Sequence, residues 1–426
     1  MSEKTINTSD VKTLIKNNIR NYSMFIMLAL IMIIFAPLTK GTNWSPRNFT
    51  NIFFQNSYVL ILAIGMVQVI IVQGIDLSVG SVCAMVGALS AMIYNTGVGM
   101  PVTLLASLAM GVIIGAYQGA WVAFAKMPAF IVTLSGMMLF RGLTYLITKV
   151  SPISMHDDGY AHLSTGTLDE VLRLGRIRYP FFTDVGRISK DGTEVYMQTV
   201  VRFKESPYFP MAILLAVLVL AAFFLVEFTG RKKKIANGFE VTPFPLFVTQ
   251  LVLISLLTLG IADRFARYRG LPIVVLVLGI AVVAFHFLLN NTVLGRYIYA
   301  VGGNPRSASL SGINSEMVTF IVFCFMGGLT GLAAVVSTGY MNSALPQAGN
   351  LFELDAIAAC YIGGVSAGGG IGSVIGVVVG GLVMSAINNG MTLMNLGQHY
   401  QYVVKASILI LAVFYDVYSR RKTGLG

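Results

Sequence analysis

Long apolar runs recur from one end of this 426-residue chain to the other, separated by short polar connections. Many are long enough to cross about 30 Å of hydrocarbon. Lipid offers backbone N–H and C=O groups no partners, so such runs cross as helices that satisfy their own hydrogen bonds. Composition agrees: 56% of the residues are hydrophobic and 11% charged, where a soluble domain carries about 25% charge. The fold class that follows is an all-α polytopic membrane protein.

Spans are predicted at 22–38, 53–72, 79–95, 101–124, 128–149, 208–228, 244–262, 271–289, 316–340, 354–368, 371–395 and 398–417, about twelve crossings by the length criterion. The net charge of +11 is explained by topology and not by nucleic acid. Basic residues gather at Lys4, Lys12, Lys16 and Arg20, at Arg231 to Lys234, at Arg296 and Arg306, and at Arg420 to Lys422. Short cytoplasmic loops and tails accumulate Lys and Arg in this way. Both termini are therefore placed inside, together with Lys126 and the 290–315 loop. Arg264, Arg267 and Arg269 fall on the outer side and run against the rule. The run 22–38 follows a basic tail without a small-residue cleavage site and reads as a retained span, not a signal peptide.

The expected organisation is a cytoplasmic tail (1–21), a first membrane half (22–149), an external insertion (151–206) and a helical segment with an extra pair (208–289). A cytoplasmic loop (290–315), a second membrane half (316–417) and a cytoplasmic tail (418–426) complete it. Within the insertion, alternation over Thr193 to Arg202 predicts a small β-hairpin, and so long a connection is expected to have a role. The halves 53–149 and 316–417 look like an inverted repeat. Each has an acid-bearing turn (Asp76, Asp355) followed by a Gly-xxx-Gly helix (Gly111 and Gly115, Gly376 and Gly380). Such repeats place a transport pathway at their interface, although Gly-xxx-Gly also serves plain helix packing.

Several chemistries are excluded. Gly368-Gly369-Gly370-Ile371-Gly372-Ser373 has no following Lys and leads into an apolar run, so it is no phosphate loop. ATP must then act through another chain. The four His residues are scattered, and Cys83, Cys324 and Cys360 lie apart inside apolar runs, which leaves neither a metal site nor a disulfide framework. No catalytic residue, metal site or cofactor site is expected. Ionisable groups within the membrane are costly and functional or paired. Asp76, Arg141, Glu353, Asp355 and Lys405 are read as helix caps or ion pairs, with a proton relay as the competing role. Gln68, Gln118, Asn388 and Asn389 are candidates for a polar pathway, with Tyr58, Gln73 and Tyr340 nearby; interhelical hydrogen bonding explains the amides equally well.

Four segments, Gly74 to Ser81, Lys126 to Leu134, Gly295 to Asn304 and Glu353 to Ala359, occur in order and together resemble the signature segments of permease subunits in bacterial ABC importers for monosaccharides. The resemblance covers about 50–150 and 265–417 and implies a homodimeric permease of the inner membrane. It would join an ABC ATP-binding subunit, which holds ATP and Mg, and would be served by a periplasmic sugar-binding protein. It further implies that Gly303, Asn304, Pro305, Ala308, Ser311, Gly312 and Ile313 belong to a short element docking in the ATPase. The long 150–265 region departs from ribose-type members and is more similar to the xylose or multiple-monosaccharide branch. A self-sufficient proton-coupled secondary transporter is the alternative.

Overall fold

The computed structural model describes residues 24–188, 195–239, 241 and 244–423. The basic tail 1–21 and the expected turn of the hairpin lie outside them. The predicted class holds: the chain is helical almost throughout and organised in two units, one formed by the segments up to Thr165 and from Ile273, the other by Gly166–Pro272.

In the larger unit α1 covers Met24–Leu38. It is followed by α2 (Pro46–Ile71), α3 (Val79–Ile93), α4 (Met100–Ala123) and α5 (Ala129–Thr148). Ser45 caps α2 by accepting from Asn48 N, and Pro46 occupies the first turn, where its missing N–H costs nothing. α2 is the centre of the unit: Val59 to Ile71 are all buried, and it packs on helices of the unit's second half.

Within the smaller unit, β1 (Arg178–Ile188) and β2 (Val195–Glu205) pair antiparallel from Arg178↔Glu205 to Ile188↔Val195, so the strand expected at 193–202 forms over its described residues. The apolar helices α6 (Pro210–Ala236) and α7 (Phe244–Ala266) pack together there. The insertion and the extra helix pair thus form one unit, whereas residues 151–165 belong to the other. Arg267 and Arg269, anomalous by charge placement, pair with Asp263 at 2.8 Å and Glu170 at 2.7 Å. Such neutralisation weakens their bearing on topology.

The larger unit resumes with α8 (Ile273–Asn291), α9 (Val293–Gly303), α10 (Pro305–Leu310), α11 (Ser315–Met341), α12 (Phe352–Ile362), α13 (Val374–Leu393) and α14 (Gln398–Thr423). Nine helices are long and apolar enough to cross a membrane among the described residues. The predicted span 354–368 is corrected: α12 has 11 residues, about 16 Å of helix at ~1.5 Å per residue, half of a crossing. Gly363 and Gly364 end it, and Gly364, Gly369 and Gly370 take positive φ in the turn that follows.

Packing partners in the two halves correspond. α2 pairs with α11, and the contacts α3–α5, α3–α11, α4–α11 and α3–α4 have the counterparts α12–α14, α12–α2, α13–α2 and α12–α13. The two Gly-xxx-Gly motifs are used differently, however. Gly111 and Gly115 admit the backbone of Gly327 on α11, while Gly376 and Gly380 admit Gly363 and Ala359 on α12.

Candidate functional site: an elbow tied to two broken connections

The polar 290–315 segment folds as α9 and α10 joined at Asn304. Thr292 caps α9 through Gly295 N at 3.1 Å, and Asn304 caps α10 through Ser307 N at 3.0 Å. Each cap satisfies a donor that the first helical turn leaves free. Ile298, Val301 and Gly302 face inward. Gly302 lies so close to the end of α2 that a Cβ would overlap the Ile71 carbonyl oxygen. Gln73 Nε2 donates to the Gly302 carbonyl at 2.9 Å and to that of Gly368 at 3.2 Å. Gly370 N donates to Ile71 O at 2.9 Å, and the Tyr299 hydroxyl to Gly372 O at 2.8 Å. The elbow is therefore sewn to the α2–α3 connection and to the glycine turn between α12 and α13.

Of the residues assigned to docking, Gly303, Asn304, Pro305, Ser311 and Gly312 are exposed. Ala308 is buried and Ile313 packs against the core, so these two anchor the element from beneath. The sequence reading missed Leu310, whose side chain is 84% exposed at the tip. A lone Leu among Ser residues on a short polar helix is the signal that could have marked it.

Deeper in the unit, the first turns of α3 and α12 meet. A Cβ at Gly80 would overlap the Gly349 carbonyl and press on the Glu353 carboxylate. The Arg141 guanidinium on α5 donates to the carbonyls of Pro346 at 3.1 Å and Ala348 at 2.6 Å, holding the connection that enters α12. Lys405 on α14 pairs with Asp355 at 2.8 Å. Asp76 accepts from Ser78 N at 2.8 Å and from its hydroxyl at 2.7 Å, closing the turn before α3. Glu353 and Asp355 lie in the first turn of α12, where the helix dipole favours negative charge. Tyr58 at the midpoint of α2 stacks on Phe352 at 4.4 Å, so α12 starts halfway along α2.

The polar pathway candidates separate. Gln118 bonds Ser78 at 2.7 Å, and Asn389 exchanges hydrogen bonds with Asn48 at 2.8 and 3.0 Å. Gln68 is buried and donates to Ile64 O at 3.2 Å. Asn388 alone of the four is half-exposed. Among the described residues no cluster of His, Cys, Asp or Glu could hold a metal ion.

Residues 48–413 match the family described as "Branched-chain amino acid transport system / permease component". The chain is similar to the xylose transport system permease protein of Haemophilus influenzae, at 36% identity over 95% of this chain and 98% of the relative. The Escherichia coli K12 xylose permease is 35% identical over 95% and 94%, and the ribose import permease of the same organism 32% identical over 92% of each chain. No solved structure matches. Transport permease, not enzyme, is the character shared by these relatives, and with this coverage the chain belongs to that permease family of multi-pass membrane proteins.

Proposed function

We propose that this chain is the translocating subunit of an ATP-driven importer for a pentose of the xylose type. The family description names branched-chain amino acids, but the relatives that match end to end are named for xylose and ribose, with the xylose proteins more similar. In this reading two copies form the conduit in a bacterial inner membrane, with both termini and the elbow in the cytoplasm. An ABC ATP-binding subunit, holding ATP and Mg, grips Gly303 to Gly312, and a periplasmic binding protein delivers the sugar to the opposite end.

The observation that carries the reading is the seam of Gly302, Gln73 and Gly370. A rigid element gripped from one side passes its displacement as a body to the connections before α3 and after α12. Rigid-body motion of that kind is how nucleotide-driven closure reaches a bistable bundle. Against the proton-coupled alternative, Asp355 is neutralised by Lys405 and Asp76 is engaged by Ser78, which are structural roles. The test is uptake of radiolabelled D-xylose into proteoliposomes holding the permease, its ATPase and the binding protein. Uptake requires ATP and survives a proton uncoupler. Accumulation driven by a pH gradient without ATP would overturn the proposal.

A further inference from the structure

α2 is buried around its circumference except along one line. Between Thr50 and Ile71 the side chains that escape burial are Asn51, Gln55 and Tyr58, spaced four and three residues apart and so on one helix face. All three are polar, although the helix is long and apolar enough to cross a membrane. Lipid would select apolar residues there; polar side chains at this depth face water or a polar ligand.

The line leads to two unsatisfied acceptors. Gln55 lies against the Tyr340 hydroxyl, and Tyr58 stacks on Phe352 next to Asp355. Asp355 Oδ2 takes Lys405 at 2.8 Å. Asn388 hydrogen-bonds the same carboxylate, while the enclosed atoms Asp355 Oδ1 and Asn388 Oδ1 have no donor. Asp355 as a whole is 95% removed from solvent. An enclosed acceptor without a donor is costly, and two side by side describe a place for donors. Lys405 already neutralises the carboxylate, so the pocket offers no net charge to an ionic ligand. Hydroxyl groups on a neutral ring fit both the acceptors and the aromatic faces of Tyr58 and Tyr340.

We propose that Gln55, Tyr58, Tyr340, Asp355 and Asn388 form a polyol subsite in the translocation path, where sugar hydroxyls satisfy the free oxygens of Asp355 and Asn388. The subsite rests on the sugar-import reading above. It is closed in this conformation, and it opens when α12, half a span long and hinged at Gly349 and Gly363, shifts against α2. A passing pentose replaces the missing donors one for one, which holds the sugar weakly enough to leave.

The test uses the complete importer in proteoliposomes at saturating binding protein, with radiolabelled D-xylose, 2-deoxy-D-ribose and L-leucine as probes. Asn388→Leu is expected to lower maximal D-xylose uptake at least tenfold and to narrow the preference for D-xylose over 2-deoxy-D-ribose. Asn388→Ser, which keeps an acceptor oxygen, restores more than half of the loss. Co-purification with the ATPase reports folding, and where Asn388→Leu fails to assemble, Gln55→Leu reads the same face with an expected loss of at least threefold. Wild-type uptake by an assembled variant would overturn the subsite and leave sugar import standing. So would a change of oligomeric state with uptake intact, which assigns the face to a subunit contact. A wild-type importer that moves leucine and no sugar would overturn the underlying reading as well.

Discussion

Gly80 and Gly349 touch backbone to backbone, each occupying the space that a Cβ on the other would need. The contact lets the first turns of α3 and α12 come together inside the bundle. Their positive dipole ends then lie beside the Glu353 carboxylate, which occupies space that a Cβ on Gly80 would need.

Gly80→Ala is therefore expected to force the two turns apart. Overpacking of a close-packed interior costs about 1–3 kcal/mol. Gly349→Ala should cost more, because Gly349 also has φ +74, a conformation that L side chains resist. Thermal unfolding of the detergent-solubilised permease measures both. Gly142→Ala, inside α5 with nothing near its would-be Cβ, should hold or slightly raise the midpoint, since Ala suits a helix interior better than Gly; equal midpoints for all three variants would refute the role of the contact.

The Asp355–Lys405 pair is largely shielded, with side-chain exposures of 8% and 19%. Lys405→Met strands the carboxylate, a loss of about 3–5 kcal/mol by analogy with other broken buried pairs. Removing both charges in Asp355→Leu with Lys405→Met should bring stability back to within about 1 kcal/mol of the wild type, because the paired desolvation costs vanish together. Denaturant unfolding of the single and double variants gives the coupling, and additive losses would argue against a stabilising pair.

Hydropathy was enough to read the class and nine of the long helices, because lipid imposes length and apolarity on each span separately. It failed at α12, where an apolar run continues past Ile362 but the chain turns. The stop lies in Gly363-Gly364 and in the positive φ of Gly364, Gly369 and Gly370, which hydropathy does not weigh. Ion-pair roles for Asp355 and Lys405 were legible as residue types, whereas their pairing across 50 residues was not. The bonds Gln73–Gly302 and Asn48–Asn389 span 229 and 341 residues, and no local pattern encodes such partners. The line Asn51, Gln55, Tyr58 went unread in the sequence, because only burial of every neighbour gives its spacing meaning.

In the smaller unit Asp169 works as a cap supplied from a distance. α6 has no side-chain cap of its own at Phe209, and the buried Asp169 carboxylate accepts from Met211 N at 3.1 Å and from Leu271 N at 3.0 Å. Asp169→Ala leaves both donors without a partner, at about 1–3 kcal/mol for each buried group. Limited proteolysis should then cut within 166–272 faster than in the wild type. Gly270→Ala should behave alike, since its Cβ would overlap the same carboxylate and its φ is +91. Unchanged cleavage rates would remove the capping argument.

Leu310 tests the docking surface proposed above. A side chain 84% exposed at the elbow tip leaves water on entering an apolar cleft, a gain of about 1.5–3 kcal/mol for a fully buried Leu. Leu310→Asp should lower the affinity for the ATPase subunit by at least tenfold in a detergent pull-down, and Leu310→Met should retain it. Folding provides a clean control, because the tip makes no core contact that the substitution could disturb. Undiminished capture of the ATPase by Leu310→Asp would move the docking site elsewhere.

Gly302 separates docking from transmission. It lies under the elbow, against Ile71, while a Cβ on Gly303 beside it would point outward with nothing within 4 Å. Gly302→Val thus alters the seam and leaves the outer surface in place. The added side chain must lift α9 from the end of α2, which lengthens the Gln73 hydrogen bond to the Gly302 carbonyl and strains the bond from Gly370 to Ile71. An ATPase bound to such a permease still closes on nucleotide, but its displacement reaches the α2–α3 and α12–α13 connections through a loosened joint. The expected result is ATP hydrolysis within about twofold of the wild type with sugar uptake reduced at least tenfold, since coupling through a bistable element fails when the element is no longer rigidly held. Hydrolysis and uptake that fall together would place Gly302 in assembly rather than in transmission.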